Sequence, residues 1–355
     1  MKKYLSIILR VGLCALCLLV LGSYMGITPL HLSVPGTMSA MAIMVGFDYA
    51  VTPEQSGMVI AYKNADLIAD LVMPRCNPFK STKRTFNYFE RNLKAGFTVP
   101  DTAVSRKGRP NSVDFDGVMH EATCKPEGLE HSISKDDIQE ADNGNELITQ
   151  EMQAMIDLVL LAREVRVASM VQSANNYDAT CVRALSGSDL FSDPSSNALN
   201  IIMKQLDLPL VRPTVLGMSQ SVWTGLRQNP TIVKATNRNS GDAGAAARQA
   251  VAEILEVDEI LVGKSRVNVA NRGQDPNLAT CWGNFLWGHY RNKNATLKND
   301  VTWGLTAQSG TRYTSVNEDT EIGLEGGYRI VVGEYVKELV LGKSAGFLLQ
   351  NVVAS

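Results

Sequence analysis

The sequence predicts an α+β protein, and three observations predict it. Asn145 to Ser186 holds neither Gly nor Pro and repeats apolar residues at helical spacing. Residues 193–294 alternate helix and strand signals, and period-two alternation marks strands in 79–137 and again from Val301 to Val353. With 355 residues the chain has room for about two folding units. Its 45% apolar and 20% charged residues are ordinary globular usage, which excludes wholesale disorder and collagen-like repeats. Lys+Arg 34 against Asp+Glu 36 gives a formal charge of −2, too balanced for a protein whose main work is gripping nucleic acid.

Taken from the N-terminus, Lys2 and Lys3 precede an apolar run from Leu5 to Met25, which Arg10 interrupts to leave Val11 to Leu21 as its clean core. That core is short for a membrane span and fits a signal h-region. Cys17 follows bulky Leu16, where a lipoprotein box needs a small residue, and Met38, Met41 and Met44 offer later starts. Residues 1–44 are therefore expected to be a leader or upstream extension outside the mature fold, with an export or anchor signal as the alternative. Residues 45–78 form the next segment, in which Ile60 to Met73 reads as a short helix or strand ended by Pro74.

Residues 79–137 are rich in Thr, Gly, Pro and charge, with alternating stretches at Thr85 to Phe89 and Ser112 to Asp116. A segment this long without a strong helix reads as a functional arm, a β-hairpin extended from its support. Its charge is segregated. Between Lys80 and Pro110 stand eight basic residues, among them Arg91, Lys94, Arg106, Lys107 and Arg109, against Glu90 and Asp101. Between Asn111 and Asp142 stand nine acidic residues, among them Asp114, Asp116 and Glu121, against Lys125 and Lys135. Two readings follow from charge alone. The halves neutralise each other across one hairpin, or the arm offers complementary patches to neighbouring copies, with these eight named residues at the interface.

In the segment 138–192 the Gly- and Pro-free stretch predicts a spine helix of some 30 residues, about 45 Å long. Ile148, Met152, Met155 and Val159 lead its buried stripe, continued by Val167, Met170 and Val171. Arg163, Glu164 and Arg166 cannot make i, i+4 pairs with one another and are expected to face partners elsewhere. In 193–297, Asp193-Pro194 predicts a helix start with Pro at its first position, carrying Leu199, Ile202, Met203 and Leu206. Thr214 to Met218 predicts a buried strand, Ser219 the cap of a helix bearing Val222, Trp223 and Leu226, Ala245 to Leu255 a helix, and Glu259 to Val262 a strand. In 298–355, strands are expected at Val301–Thr306, Tyr328–Val332 and Phe347–Val353.

Chemical motifs are near misses. Gly263-Lys264-Ser265 and Gly342-Lys343-Ser344 lack the upstream Gly of a phosphate-binding loop, having Asp258 and Lys337 there. Gly241 to Gly244 reads as a loop, and Gly217-Met218-Ser219-Gln220-Ser221 lacks the last Gly of a nucleophile elbow. His120, Glu121 and Cys124 are too few for a cysteine–histidine metal site, and Cys76, Cys124, Cys181 and Cys281, the last four of six, are too scattered for a disulfide framework or a zinc site. The expectation is no catalytic residue, cofactor, metal or small-molecule substrate.

In order along the chain, Ile60-Ala61-Tyr62-Lys63-Asn64-Ala65-Asp66-Leu67-Ile68-Ala69, Gly96-Phe97-Thr98-Val99-Pro100-Asp101, Leu161-Ala162-Arg163-Glu164-Val165-Arg166-Val167-Ala168 and Arg212-Pro213-Thr214-Val215-Leu216 stand beside Gly323-Leu324-Glu325-Gly326-Gly327-Tyr328-Arg329 and Lys337-Glu338-Leu339-Val340. With the arm, hairpin, spine helix, α/β region and returning strands, this set resembles the major capsid proteins of tailed bacteriophages, of the Hong Kong 97-type fold. The resemblance implies a structural shell subunit that assembles into pentamers and hexamers around double-stranded DNA. It implies that 45–78 is the N-terminal arm and first segment of the peripheral domain, that 79–137 is an extended loop over a neighbouring subunit, that 138–192 with 298–355 forms the rest of the peripheral domain, and that 193–297 forms an axial domain. It also implies portal and scaffolding or decoration proteins as partners, weak non-specific contact with packaged DNA, and location in the virion after assembly in host cytoplasm. The near-neutral charge suits a wall that must not grip DNA tightly. The alternatives are a nanocompartment shell of the same fold, encapsulin-like, and an exported binding protein favoured only by the leader.

Overall fold

The computed structural model describes residues 66–77, 84–91, 97, 99–112, 117–141, 144–236, 244–271, 273–297 and 301–354. The leader at 1–44, the motif residues 60–65, Lys94, Asp114 and Asp116 lie outside the described residues, and Arg91 is described in its backbone alone.

The helices are α1 (Ala69–Val72), α2 (Lys135–Glu140), α3 (Gly144–Val171), α4 (Ala198–Leu206), α5 (Gln220–Gln228), α6 (Pro230–Thr236) and α7 (Arg248–Leu255). Helix α3 has 28 residues, about 42 Å of rise. Its end is set by side chains that take over the last orphan carbonyls: Asn176 Nδ2 donates to Met170 O at 2.7 Å and Tyr177 Oη to Val171 O at 2.9 Å. The helical pattern of the sequence runs on to Ser186, but these bonds stop the helix at Val171.

Two five-stranded sheets flank this helix. The first holds β1 (Arg75–Cys76), β4 (Lys125–Ser134), β11 (Gly304–Gln308), β12 (Tyr313–Asp319) and β13 (Gly327–Val340). Strand β13 organises it. One edge pairs antiparallel with β4 along Gly327–Val336, while the other takes β12 along Gly327–Gly333 and then β11 along Val336–Val340. The second sheet has the order β5 (Val182–Ala184), β14 (Gly346–Gln350), β10 (Phe285–His289), β6 (Val215–Ser219), β7 (Glu259–Gly263). All five residues of β6 are buried, as expected for a central strand covered on both faces. The minor pairs are β2 (Thr85–Arg91) with β3 (Gly117–Thr123), and β8 (Arg266–Asn268) with β9 (Leu278–Thr280).

The core divides by sheet. Ile148, Met152, Met155, Ile156 and Leu160 of α3 cluster with Ile133, Ile330 and Val332 of the first sheet. Val167, Ala168 and Val171, further along the same helix, cluster with Val215, Leu261, Trp287 and Leu348 of the second. The opposite face of the second sheet is covered by α4, α5, α6 and α7 through Ile202, Leu206, Trp223, Leu226, Ile232 and Leu255. Helix α3 thus binds both sheets into one body.

Two local expectations are corrected. The helix expected at Asp193-Pro194 starts at Ala198, because Asp193 Oδ1 accepts from Ser195 N (2.8 Å) and Oγ (2.7 Å), a turn that competes with helix. Asn197 supplies the cap instead, accepting from Asn200 N at 3.2 Å. The segment 298–355 also does not return to one sheet. Strands β11, β12 and β13 do, whereas β14 crosses to the second. Its Phe347 and Leu349 face the helix-covered side and Leu348 the α3 side, so a strand apolar on both faces belongs in the doubly covered sheet.

Candidate assembly interface

The hairpin β2–β3 is rooted in the first sheet. Phe86 and Cys124 are buried with Leu305, Ala307 and Leu339. The Arg84 guanidinium lies 3.9 Å over the Tyr335 ring and donates to its hydroxyl at 2.9 Å. Further out, Glu90 and His120 pair at 2.9 Å, while Val118 and Met119 are 59% and 67% exposed. Residues 99–112 are exposed throughout, and Phe97 with them. Arg106 and Lys107 stand on a turn closed by Gly108 N donating to Ser105 O at 2.9 Å, Arg109 follows it, and none of the three makes an ion pair among the described residues.

The acidic half of this region is placed differently. Strand β4 leaves the hairpin for β13, so Glu130 meets Arg329 at 2.5 Å and Glu127 meets Arg166 at 3.3 Å. Lys135 meets Glu318 at 2.5 Å, and Asp137 is tied into a capping box with Ser134. Glu121 lies opposite Asn87, exposed. The described residues therefore bring none of Arg106, Lys107 and Arg109 against the acidic side chains that follow them.

Where α3 passes from one sheet to the other, the structure holds a buried polar joint. Arg163, 1% exposed, pairs with Asp70 and donates to Met73 O at 3.2 Å and Thr306 Oγ1 at 2.9 Å. Burial and Arg75 push its pKa down, against Asp70, Glu334 and Glu338. Arg75 spans Asp70 (2.7 Å) and Glu334 (2.5 Å). Burial alone would raise the Asp70 carboxyl, but Arg163 and Arg75 outweigh it and hold it below the usual carboxylate range. Glu164 faces donors instead of cations: Ala69 N (2.7 Å), Ile68 N (3.1 Å), Trp282 Nε1 (2.6 Å) and Ser265 Oγ (3.3 Å). Arg166 reaches Glu338 at 3.2 Å. The expected stripe residues Ile148, Met152, Met155 and Val159 are all buried, on the stretch of α3 that precedes this joint.

The near-miss motifs are absorbed by packing. A Cβ at Gly263 would stand 2.1 Å from Trp282, and Ser265 is held by Glu164, so Gly263-Lys264-Ser265 is a close backbone approach. In the other tripeptide, Ser344 O accepts from Leu210 N at 2.9 Å. His120 turns to Glu90 while Cys124 Sγ donates to Ala307 O at 3.5 Å, so the two diverge. Behind the joint runs a stack of rings, Tyr177–Trp303–His289–Trp287–Trp282, with centroids 4.6–5.8 Å apart. Burial, and then Arg291, lower the His289 pKa to about 3; the neutral ring lies with Nε2 3.2 Å from Val72 O. Among the described residues, no helix is long and apolar enough to cross a membrane.

No protein-family model matches the chain. The chain is 38% identical over 307 residues to the major capsid protein of Pseudomonas phage JBD67, covering 86% of this chain and 98% of the relative. The crystal structure of a phage-related protein from Bordetella bronchiseptica RB50 shares the fold with a TM-score of 0.66 at 17% identity, covering 86% of this chain and 99% of that one. The capsid structure of cyanophage P-SCSP1u shares it with a TM-score of 0.53 at 12% identity, covering 83% and 90%.

Proposed function

Since the chain belongs to the phage major capsid protein family, we propose that it is the wall subunit of an icosahedral phage head, assembling into pentamers and hexamers around double-stranded DNA. The observation that carries this is the 38% identity along 98% of a phage major capsid protein. Its role is structural. The family favours a genome-enclosing head over a cargo compartment or an exported binding protein.

In this reading 79–137 is the extended loop that reaches over a neighbour, and its exposed apolar and cationic residues support that use. Residues 138–192 with the sheet around β13 form the peripheral domain, and 193–297 joined by β14 form the axial domain. The formal charge of −2 supports a wall in weak, non-specific contact with packaged DNA. Portal and scaffolding or decoration proteins complete the set of partners, and assembly proceeds in host cytoplasm before the subunit resides in the virion. The test is negative-stain microscopy of the purified, concentrated full chain. Closed shells are expected, and a subunit that stays monomeric under all assembly conditions overturns the reading. The same preparation should turn over no ATP beyond a Lys264→Ala, Lys343→Ala variant.

A further inference from the structure

Between β4, α2 and the first turns of α3 opens a cleft of about 510 Å³. Its lining is of two kinds. Ile133, Ala141 and Leu147 give an apolar floor, while Asp137, Glu140 and Glu151 bring carboxylates to its walls, with His131 the one basic-capable side chain among its lining residues. Asp137 is held by Ser134 in the capping box, but the other two carboxylates are poorly matched among the described residues. Glu140 makes no ion pair among the described residues, and Glu151 has only His131, at 3.7 Å. Asp136 and Glu146, exposed on the same two helices, add to the negative field.

An apolar floor under a carboxylate rim fits a side chain with an aliphatic stem and a cationic head. Such side chains are in surplus elsewhere on the molecule. Arg106, Lys107 and Arg109 place three cations within four exposed residues, in the loop between β2 and β3, and make no ion pair among the described residues. We infer that this cleft receives the Arg106–Arg109 turn of a second copy of the chain. The contact joins two different surfaces, so each subunit both gives a turn and receives one, as a ring or shell requires. Guanidinium–carboxylate pairing fixes the register of the docked turn, and the stems cover Leu147 and Ile133. The inference rests on the shell reading and names the receptor that the reading leaves open.

The test is a charge swap in the full chain. Glu140→Lys with Glu151→Lys, and separately Arg106→Glu with Lys107→Glu and Arg109→Glu, should each cut shell yield about ten-fold or more at low salt. Circular dichroism of the unassembled subunit should be unchanged in both. Combining the two sets should restore the yield to within about two-fold of wild type. A combined variant no better than either set means that the cleft has another occupant, and it overturns the inference. A second measurement avoids reliance on charge: mixed particles of Glu140→Cys chains and Arg109→Cys chains, oxidised, should give an interchain dimer beyond that of either chain alone. No such dimer overturns the inference as well. Wild-type chain that forms no particles would instead strike the shell reading itself.

Discussion

The joint around Arg163 and Glu164 and the hairpin with its 99–112 loop carry similar chemistry in opposite settings. At the centre of the joint, Arg163 and Glu164 are buried and meet several partners: two carboxylates, a backbone carbonyl and a hydroxyl for Arg163, four donors for Glu164. In the loop, three exposed cations make no ion pair among the described residues. A buried charge is tolerable only when paired and hydrogen-bonded, as Arg163 is through both terminal nitrogens and Glu164 through both oxygens, so the joint specifies how segment 68–75, α3 and both sheets meet. Exposed, unmatched charges add little to folding and remain available for association. On the proposed reading the molecule separates fold from assembly along this line, and substitutions test it.

The largest effect is expected in the α3 core. Met155→Asp or Val159→Asp would bury a carboxylate with no partner, costing several kcal/mol and leaving no soluble subunit. Soluble expression and a cooperative melt of either variant at the wild-type temperature would show that this face is not a core. Next comes the joint. Glu164→Ala strips acceptors from the Ile68 and Ala69 amides, the Trp282 indole and the Ser265 hydroxyl, a loss of about 3–5 kcal/mol. Urea denaturation of unassembled subunits checks it, and a midpoint shift equivalent to less than about 1 kcal/mol would remove the joint from the account.

How much of this was legible in the sequence depends on the range of the interaction. The buried stripe of α3 followed from spacing, because Ile148, Met152, Met155 and Val159 need only local periodicity to fall on one face. Arg163 and Glu164 were legible only as charges that could not pair with each other. Their partners lie about 90 or more residues away, and no local signal marks a charged pair in mid-helix as buried. The Asp193 start failed on local chemistry, an Asx-type turn to Ser195. The last strand was visible as a strand, but its sheet is chosen by pairing with β10 and β5, which periodicity does not encode. For the hairpin, the charge segregation was plain, yet it did not show that β4 leaves for β13 and takes Glu127 and Glu130 with it. The family itself came from ordered motifs rather than from composition.

A moderate effect is expected on acidification. The His289 pKa is lowered from 6.5 to about 3 in the fold, so the unfolded chain binds the proton first. Its contribution is fully present above about pH 6.5 and is lost as pH falls from there toward 3, about 2 kcal/mol between pH 7 and 5. Asp70 acts later and in the same sense: its lowered folded pKa gives stability above the ordinary carboxylate value that disappears as pH drops through it. Urea midpoints of the unassembled subunit across pH 7 to 5 should fall in wild type and stay nearly flat in His289→Phe. Equal slopes in the two would assign the acid sensitivity to other groups.

The smallest effect on folding, and the sharpest on assembly, belongs to the loop. Reversing Arg106, Lys107 and Arg109 to Glu should move subunit stability by no more than about 0.5 kcal/mol, since exposed side chains without partners lose nothing on replacement. If they pair between copies as proposed, each contact is worth under about 1 kcal/mol, but a closed shell repeats it at every neighbour, so the losses compound. Assembly should fail at low salt and recover partly as salt screens the new repulsion over a Debye length of about 8 Å near physiological ionic strength. Sedimentation of the variant across a salt series separates the accounts. Failure that salt relieves places these cations between subunits. A drop in the melting temperature of the free subunit would instead place them in contact with their own chain, and unchanged shells at low salt would leave them an ordinary solvated surface.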